Sequence, residues 1–115
     1  MRSDLLYIHN ILESINLIES YIKGKSFKEF TDSELIIDAI SKRLEEIGEN
    51  ARKVSDKTKK KYKEVKWAEF IEDRNFLTHV YQLVNKKRLW LIIKKDLSIL
   101  KKQIQKIKKE LENVK

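Results

Sequence analysis

The sequence predicts an all-α fold, a compact up-and-down bundle of four to five helices. Two observations carry this. The 115 residues contain no proline and only two glycines, and a chain that turned often would need both. Apolar residues also recur every three or four positions through several long stretches, the spacing of one helical face. No internal repeat or low-complexity linker divides the chain, so residues 1–115 read as one domain.

The first helix is expected to start after Ser3 as N-cap and to end at Gly24, which suits a C′ position. Leu5, Ile8, Leu12, Ile15, Ile18 and Ile22 form its inner face. A short connection follows, with Phe27 and Phe30 placed to plug the end of the core. Thr31-Asp32-Ser33-Glu34 has capping-box spacing and should open a second helix. Its stripe is Leu35 or Ile36, then Ile40, Leu44, Ile47, Ala51 and Val54. Gly48 inside it costs about 1 kcal/mol relative to alanine, a cost that close approach of a neighbouring helix would offset. Residues 55–66, SDKTKKKYKEVK, have weak periodicity and six lysines and read as a loop or frayed turn. A third helix begins near Trp67 and turns Phe70, Ile71 and Leu77 inward. The chain should bend around Val80–Lys86, with Asn85 as a cap. In the last helix Ile93, Leu97, Leu100, Ile104, Ile107, Leu111 and Val114 alternate steps of four and three, a heptad-type seam.

Bulk properties narrow the function. Nothing approaches the roughly 18 uninterrupted apolar residues of a membrane span. The opening MRSDLLYIHNILES carries polar residues where a signal peptide needs an apolar run. There is no cysteine, hence no disulfide, thiolate zinc site or cysteine nucleophile. The expectation is a soluble protein of the cytoplasm. Residues 1–54 hold 8 basic and 10 acidic side chains, whereas residues 55–115 hold 18 and 8. Such asymmetry suits an anionic partner, nucleic acid above all. A charged fraction of 38% is also a habit of proteins from hot environments, so charge alone leaves both readings open.

The chemistry-bearing stretch is residues 73–81, DRNFLTHVY. RNA carries its own nucleophile, the 2′-OH, and needs a base to take that proton. His79 is the one side chain of the region that changes charge near neutrality. Arg74 stays protonated and offers a planar fork to phosphate oxygens, matching charge that grows in the transition state. Asn75, one turn before His79, is placed to orient the ring. Positions five apart on a continuous α-helix differ by about 140°, so Arg74 and His79 need a distorted helix or a swung arginine. Cleavage by this route also wants two proton-transfer groups, and one histidine is present. Two copies meeting at this helix would supply both, which predicts a homodimer with a composite cleft. On the residues alone, a surface or capping role for Arg74 and His79 stays open, as does a core-edge role for Tyr81.

RNFLTHVY, Arg74 to Tyr81, resembles the R-x4-H-x-Y signature of the HepT-like branch of the HEPN superfamily. Similar pieces accompany it along the chain: Tyr7, Ile8, Ile11, Leu12 and Ile15 in the opening helix, the aromatic-bearing segment Ser26–Phe30, Ile47-Gly48-Glu49, and Trp67 seven residues before the motif arginine. The chain departs from the family pattern in lacking a proline shortly before Trp67, and in carrying Asn50 where alanine usually follows the helix-2 motif. The resemblance implies a metal-independent ribonuclease toxin, homodimeric, with Arg74 and His79 catalytic. It also implies an MntA-like nucleotidyltransferase antitoxin that silences the toxin by moving AMP from ATP onto Tyr81. No cofactor is expected for cleavage and no metal site. Glu49 matches a recurring family acid, with a supporting role from helix 2 or a plain structural one. The rival readings are a non-catalytic helical module that binds substrate or nucleotide for a partner nucleotidyltransferase, and an oligomerisation protein whose basic face holds nucleic acid passively.

Overall fold

The computed structural model describes the backbone of residues 2–72 and 75–113, and the side chains of these apart from Arg2 and Asn75. Among the described residues every regular element is helical. Helix α1 spans Arg2–Ile22, and Gly24 with φ +73° turns the chain out of it, as its C′ position predicts. The helix starts before Ser3, which therefore lies inside it rather than capping it.

The connection after Gly24 is itself a short helix, α2 (Phe27–Thr31). The capping box belongs here. Ser26 Oγ accepts from the Glu29 amide at 3.1 Å, and the Ser26 amide donates to Glu29 Oε1 at 2.9 Å. Thr31, expected to cap the next helix, is the last residue of α2 and donates its hydroxyl to the Lys28 carbonyl. Ser33 caps α3 (Glu34–Lys53) instead, accepting from the Ile36 amide at 3.1 Å. The buried stripe accordingly enters at Ile37 and continues through Ile40, Leu44, Ile47 and Ala51, while Leu35 is 80% exposed.

Residues 55–66 are more ordered than their periodicity suggested. Ser55 caps α4 (Asp56–Lys61), whose first-turn Asp56 and last-turn Lys59, Lys60 and Lys61 complement the helix dipole. With Thr58 its buried residue, a helix this short has no stripe to display. Asp4 of α1 ties it down. The buried carboxylate accepts from the Ser55 amide (3.0 Å), the Ser55 hydroxyl (2.6 Å) and the Thr58 hydroxyl (2.6 Å). Burial pushes the Asp4 carboxyl up, but the three hydrogen bonds outweigh it and hold the group below its ordinary value of 3.8. A depressed carboxylate contributes stability that is present above the ordinary value and lost as pH falls below it. Asp4→Ala is expected to cost about 2–3 kcal/mol, the price of stranding buried donors. Urea denaturation at neutral pH measures that loss, and the acid limb of the stability profile should shrink in the variant.

Then come α5 (Trp67–Glu72), a 3-10 helix over Asn75–His79, and α6 (Leu83–Leu91). A π-helical turn, Ile92–Asp96, joins α6 to α7 (Leu97–Glu112), with the Leu97 amide donating to the Ile92 carbonyl. The seam expected for the last helix is buried from Ile93 through Ile107, and Leu111 is half-buried. Val114 lies outside the described residues.

Side-chain contacts give the long helices their directions. Asp4 meets Ser55 and Asn10 donates to Asn50 at 3.1 Å, so α1 and α3 run antiparallel. Lys101 donates to Glu19 near the end of α1, and α7 therefore starts where α1 finishes. The up-and-down arrangement is as predicted, with the shorter helices as additions. Asn50, the departure from the family pattern, is accommodated by its bonds to Asn10 and to the Glu46 carbonyl. At one end Phe30, fully buried, packs against Trp90 with centroids 5.0 Å apart, and Phe27 meets the same indole at 5.6 Å. These are the plugs expected of that segment.

Candidate active site

His79 closes the 3-10 helix Asn75–His79 and is exposed. Buried Phe76 and Val80 anchor the segment from both sides, so His79 and Tyr81 flank a buried residue and both face outward. The histidine backbone is clamped: its carbonyl accepts from Asn85 Nδ2 at 2.8 Å and from the Gln82 amide at 3.2 Å. Asn85 thus reaches back to the motif, while Gln82 takes the N-cap position of α6. The guanidinium of Arg88 sits 4.5 Å over the Phe76 ring, a cation–π contact that braces the same segment. The described stretch Asn75–His79 is a 3-10 helix rather than an α-helix. Arg74 and the Asn75 side chain lie outside the described residues.

Glu49 is half-buried on α3 and accepts from Arg52 one turn later. It lines a concavity of about 490 Å³ that Glu72, Leu77 and Thr78 also border. The concavity sets Glu49 of α3 beside Leu77 and Thr78 of the motif segment. Among the described residues no three His, Asp or Glu side chains are grouped to hold a metal ion.

Tyr81 is 45% exposed and donates its hydroxyl to Asp38 of α3. That hydrogen bond first, with partial burial and the charges of Asp38 and Glu34, pushes the phenol up to about 12. Lys86 Nζ lies 5.8 Å over its ring. Asp38 is the site neighbour that sequence reading missed. It sits 43 positions away with no motif around it, so nothing short of the fold pairs it with Tyr81.

The ribonuclease HepT-like family matches residues 11–107. The chain belongs to that family. A protein of Methanocaldococcus jannaschii named "Gamma-glutamylcyclotransferase and putative RNase MJ0434" is 40% identical over 101 residues, covering 87% of this chain and 46% of that protein. The chain thus spans about half the length of that relative. A Thermococcus cleftensis protein named "Probable ribonuclease HepT" is 32% identical over 99 residues, 86% of this chain and 90% of its own. No solved structure matches. The HepT-like motif Arg74-x4-His79-x-Tyr81 thus has its histidine on a braced segment, facing outward, with its tyrosine hydroxyl fixed to an acid.

Beside the HepT-like motif lies a groove of about 640 Å³. Phe70, Phe76, Val84, Leu91 and Ile92 line it, with Lys87, Arg88 and Lys95 set against Glu69 and Asp96 at its edge. Val84 and Leu91 are 68% and 63% exposed, a large apolar area for a surface. No helix among the described residues is long and apolar enough to cross a membrane.

Proposed function

We propose that this chain is a metal-independent endoribonuclease of the cytoplasm, the toxin of a toxin–antitoxin pair. The observation that carries the reading is the outward-facing His79 on its clamped segment, at the position the family motif reserves for a catalytic imidazole. His79 takes the proton of a 2′-OH, whose oxygen attacks the adjacent phosphorus. The P–O5′ bond breaks, leaving a 2′,3′-cyclic phosphate, and the departing 5′ oxygen receives a proton. Arg74 stabilises the oxygens as charge grows on them.

The second proton carrier is His79 of a second copy. Apolar Val84 and Leu91 begin five residues after His79, and their groove has both cations and acids at its edge, which a two-fold axis would pair. Tyr81 is the silencing point. Its oxygen attacks the α-phosphorus of ATP held by an MntA-like nucleotidyltransferase, pyrophosphate leaves, and Asp38 stands ready to receive the phenol proton. AMP there adds bulk and negative charge beside the RNA path.

Purified protein incubated with total RNA in excess EDTA is expected to fragment it. Intact RNA, together with stable binding to a nucleotidyltransferase, would favour the non-catalytic module instead. Tyr81→Phe should cleave as the native protein does, yet stay active after treatment with the partner enzyme and ATP. Silencing through another residue would overturn the tyrosine assignment.

A further inference from the structure

Residues 52–66 carry eight basic and two acidic side chains, the densest positive segment in the first two thirds of the chain. Four of these basic residues gather at one shallow groove. Lys59, Lys60, Lys63 and Lys66 ring a groove of about 560 Å³ between α4 and α5, floored by Val65 and Trp67, with Asp56 as its one acid. The ammonium groups of Lys60, Lys63 and Lys66 meet no hydrogen-bond or ion-pair partner among the described residues. Lys59 donates to the Arg52 carbonyl and so braces the end of α3.

The backbone that holds these lysines is fixed. Trp67 Nε1 donates to the Tyr62 carbonyl at 3.1 Å, the Val65 amide donates to the same carbonyl, and Gln103 of α7 donates to the Glu64 carbonyl. The Tyr62 hydroxyl donates to Glu110 of α7 at 2.5 Å, and Asp4 pins the start of α4. The backbone beneath the rim is therefore already ordered, and only the lysine side chains have to settle when an anion arrives. The far wall of the groove is the first turn of α5, whose last residue Glu72 borders the concavity shared with Leu77 and Thr78. Trp67 in the lysine groove and Glu72 at that concavity are five positions apart on α5, about 7.5 Å of helix rise.

We propose that the α4–α5 groove is a second contact for the RNA substrate, gripping backbone phosphates away from the scissile one. Lysines suit this task because they act as point charges on phosphates without reading bases. The identity of the polyanion rests on the ribonuclease reading above. The groove supplies affinity and approach, not chemistry, so its loss raises KM and spares kcat.

The test is the variant Lys60→Gln/Lys63→Gln/Lys66→Gln, with Lys23→Gln/Lys25→Gln/Lys28→Gln as a charge-matched control at the opposite end of α1. Fluorescence anisotropy follows a labelled single-stranded RNA whose methylated 2′-hydroxyls prevent cleavage. Losing three phosphate contacts should lower the log–log salt slope by about 2 and weaken binding by roughly tenfold to a hundredfold near 0.1 M salt. The control should keep the native slope. Unchanged affinity in the groove variant overturns the proposal, as does an equal loss in the control. Unchanged RNA binding with weakened nucleotidyltransferase binding overturns it too, assigning the groove to an acidic protein. If native protein cuts nothing yet the groove variant alone loses binding, the nuclease reading fails and the groove stands.

Discussion

Replacing His79 with alanine is expected to slow RNA cleavage by about 10² to 10⁴-fold, the contribution of a positioned general acid–base group. The structure explains why the loss should be catalytic rather than structural. The side chain is exposed, and the bonds that clamp this residue, from Asn85 and Gln82, both end on its main-chain carbonyl. Alanine keeps that carbonyl. The variant should therefore melt at the native temperature and bind methylated RNA with native affinity. Retained cleavage would remove His79 from the chemistry. Mixed with native protein, the variant should lower activity more than dilution does, if each cleft draws a histidine from both copies.

Arg74→Ala is the second large effect, an expected loss of about 10² to 10³-fold in kcat, typical of removing one preorganised donor from a developing oxyanion. Arg74→Lys should recover little of it, since a lysine lacks the planar fork that holds two phosphate oxygens at once. Single-turnover cleavage separates this from weakened binding: the chemical step slows while the dissociation constant for methylated RNA changes modestly. A variant that unfolds would mark the arginine as a structural residue.

The long helices were legible because their burial is periodic. Ile8 to Ile22, Ile40 to Ala51 and Ile93 to Ile107 repeat at helical spacing, and each stripe is buried. The shorter elements escaped because their stability is not written as periodicity. Helix α4 depends on Asp4, some fifty positions away, and a window sliding along lysines cannot register that bond. The cap of α3 was misplaced because Thr31 and Ser33 are both competent caps, and the existence of α2 decides between them by absorbing Thr31. Of the two residues offered for the head of the stripe, Ile36 packs against the core and Leu35 is exposed. At the site, His79 was singled out by its chemistry and Tyr81 by the motif spacing. Asp38 was not, because an aspartate on a helix surface has no signature until Tyr81 is folded against it.

The π-helical turn at Ile92–Asp96 makes the geometry of this protein a matter of counting. A wide turn accommodates one residue more than a regular one, and such bulges are frequent near functional regions. Deleting a single position there would let α6 and α7 merge into an uninterrupted rod and rotate everything upstream by about 100°. Leu91 would swing from its outward station, and Asn85 would turn with the His79 carbonyl it holds. The C-terminal seam could stay seated through such a change while the front half of the rod lost its aim. The surplus residue is therefore an alignment shim between a core that only needs packing and a motif that needs pointing.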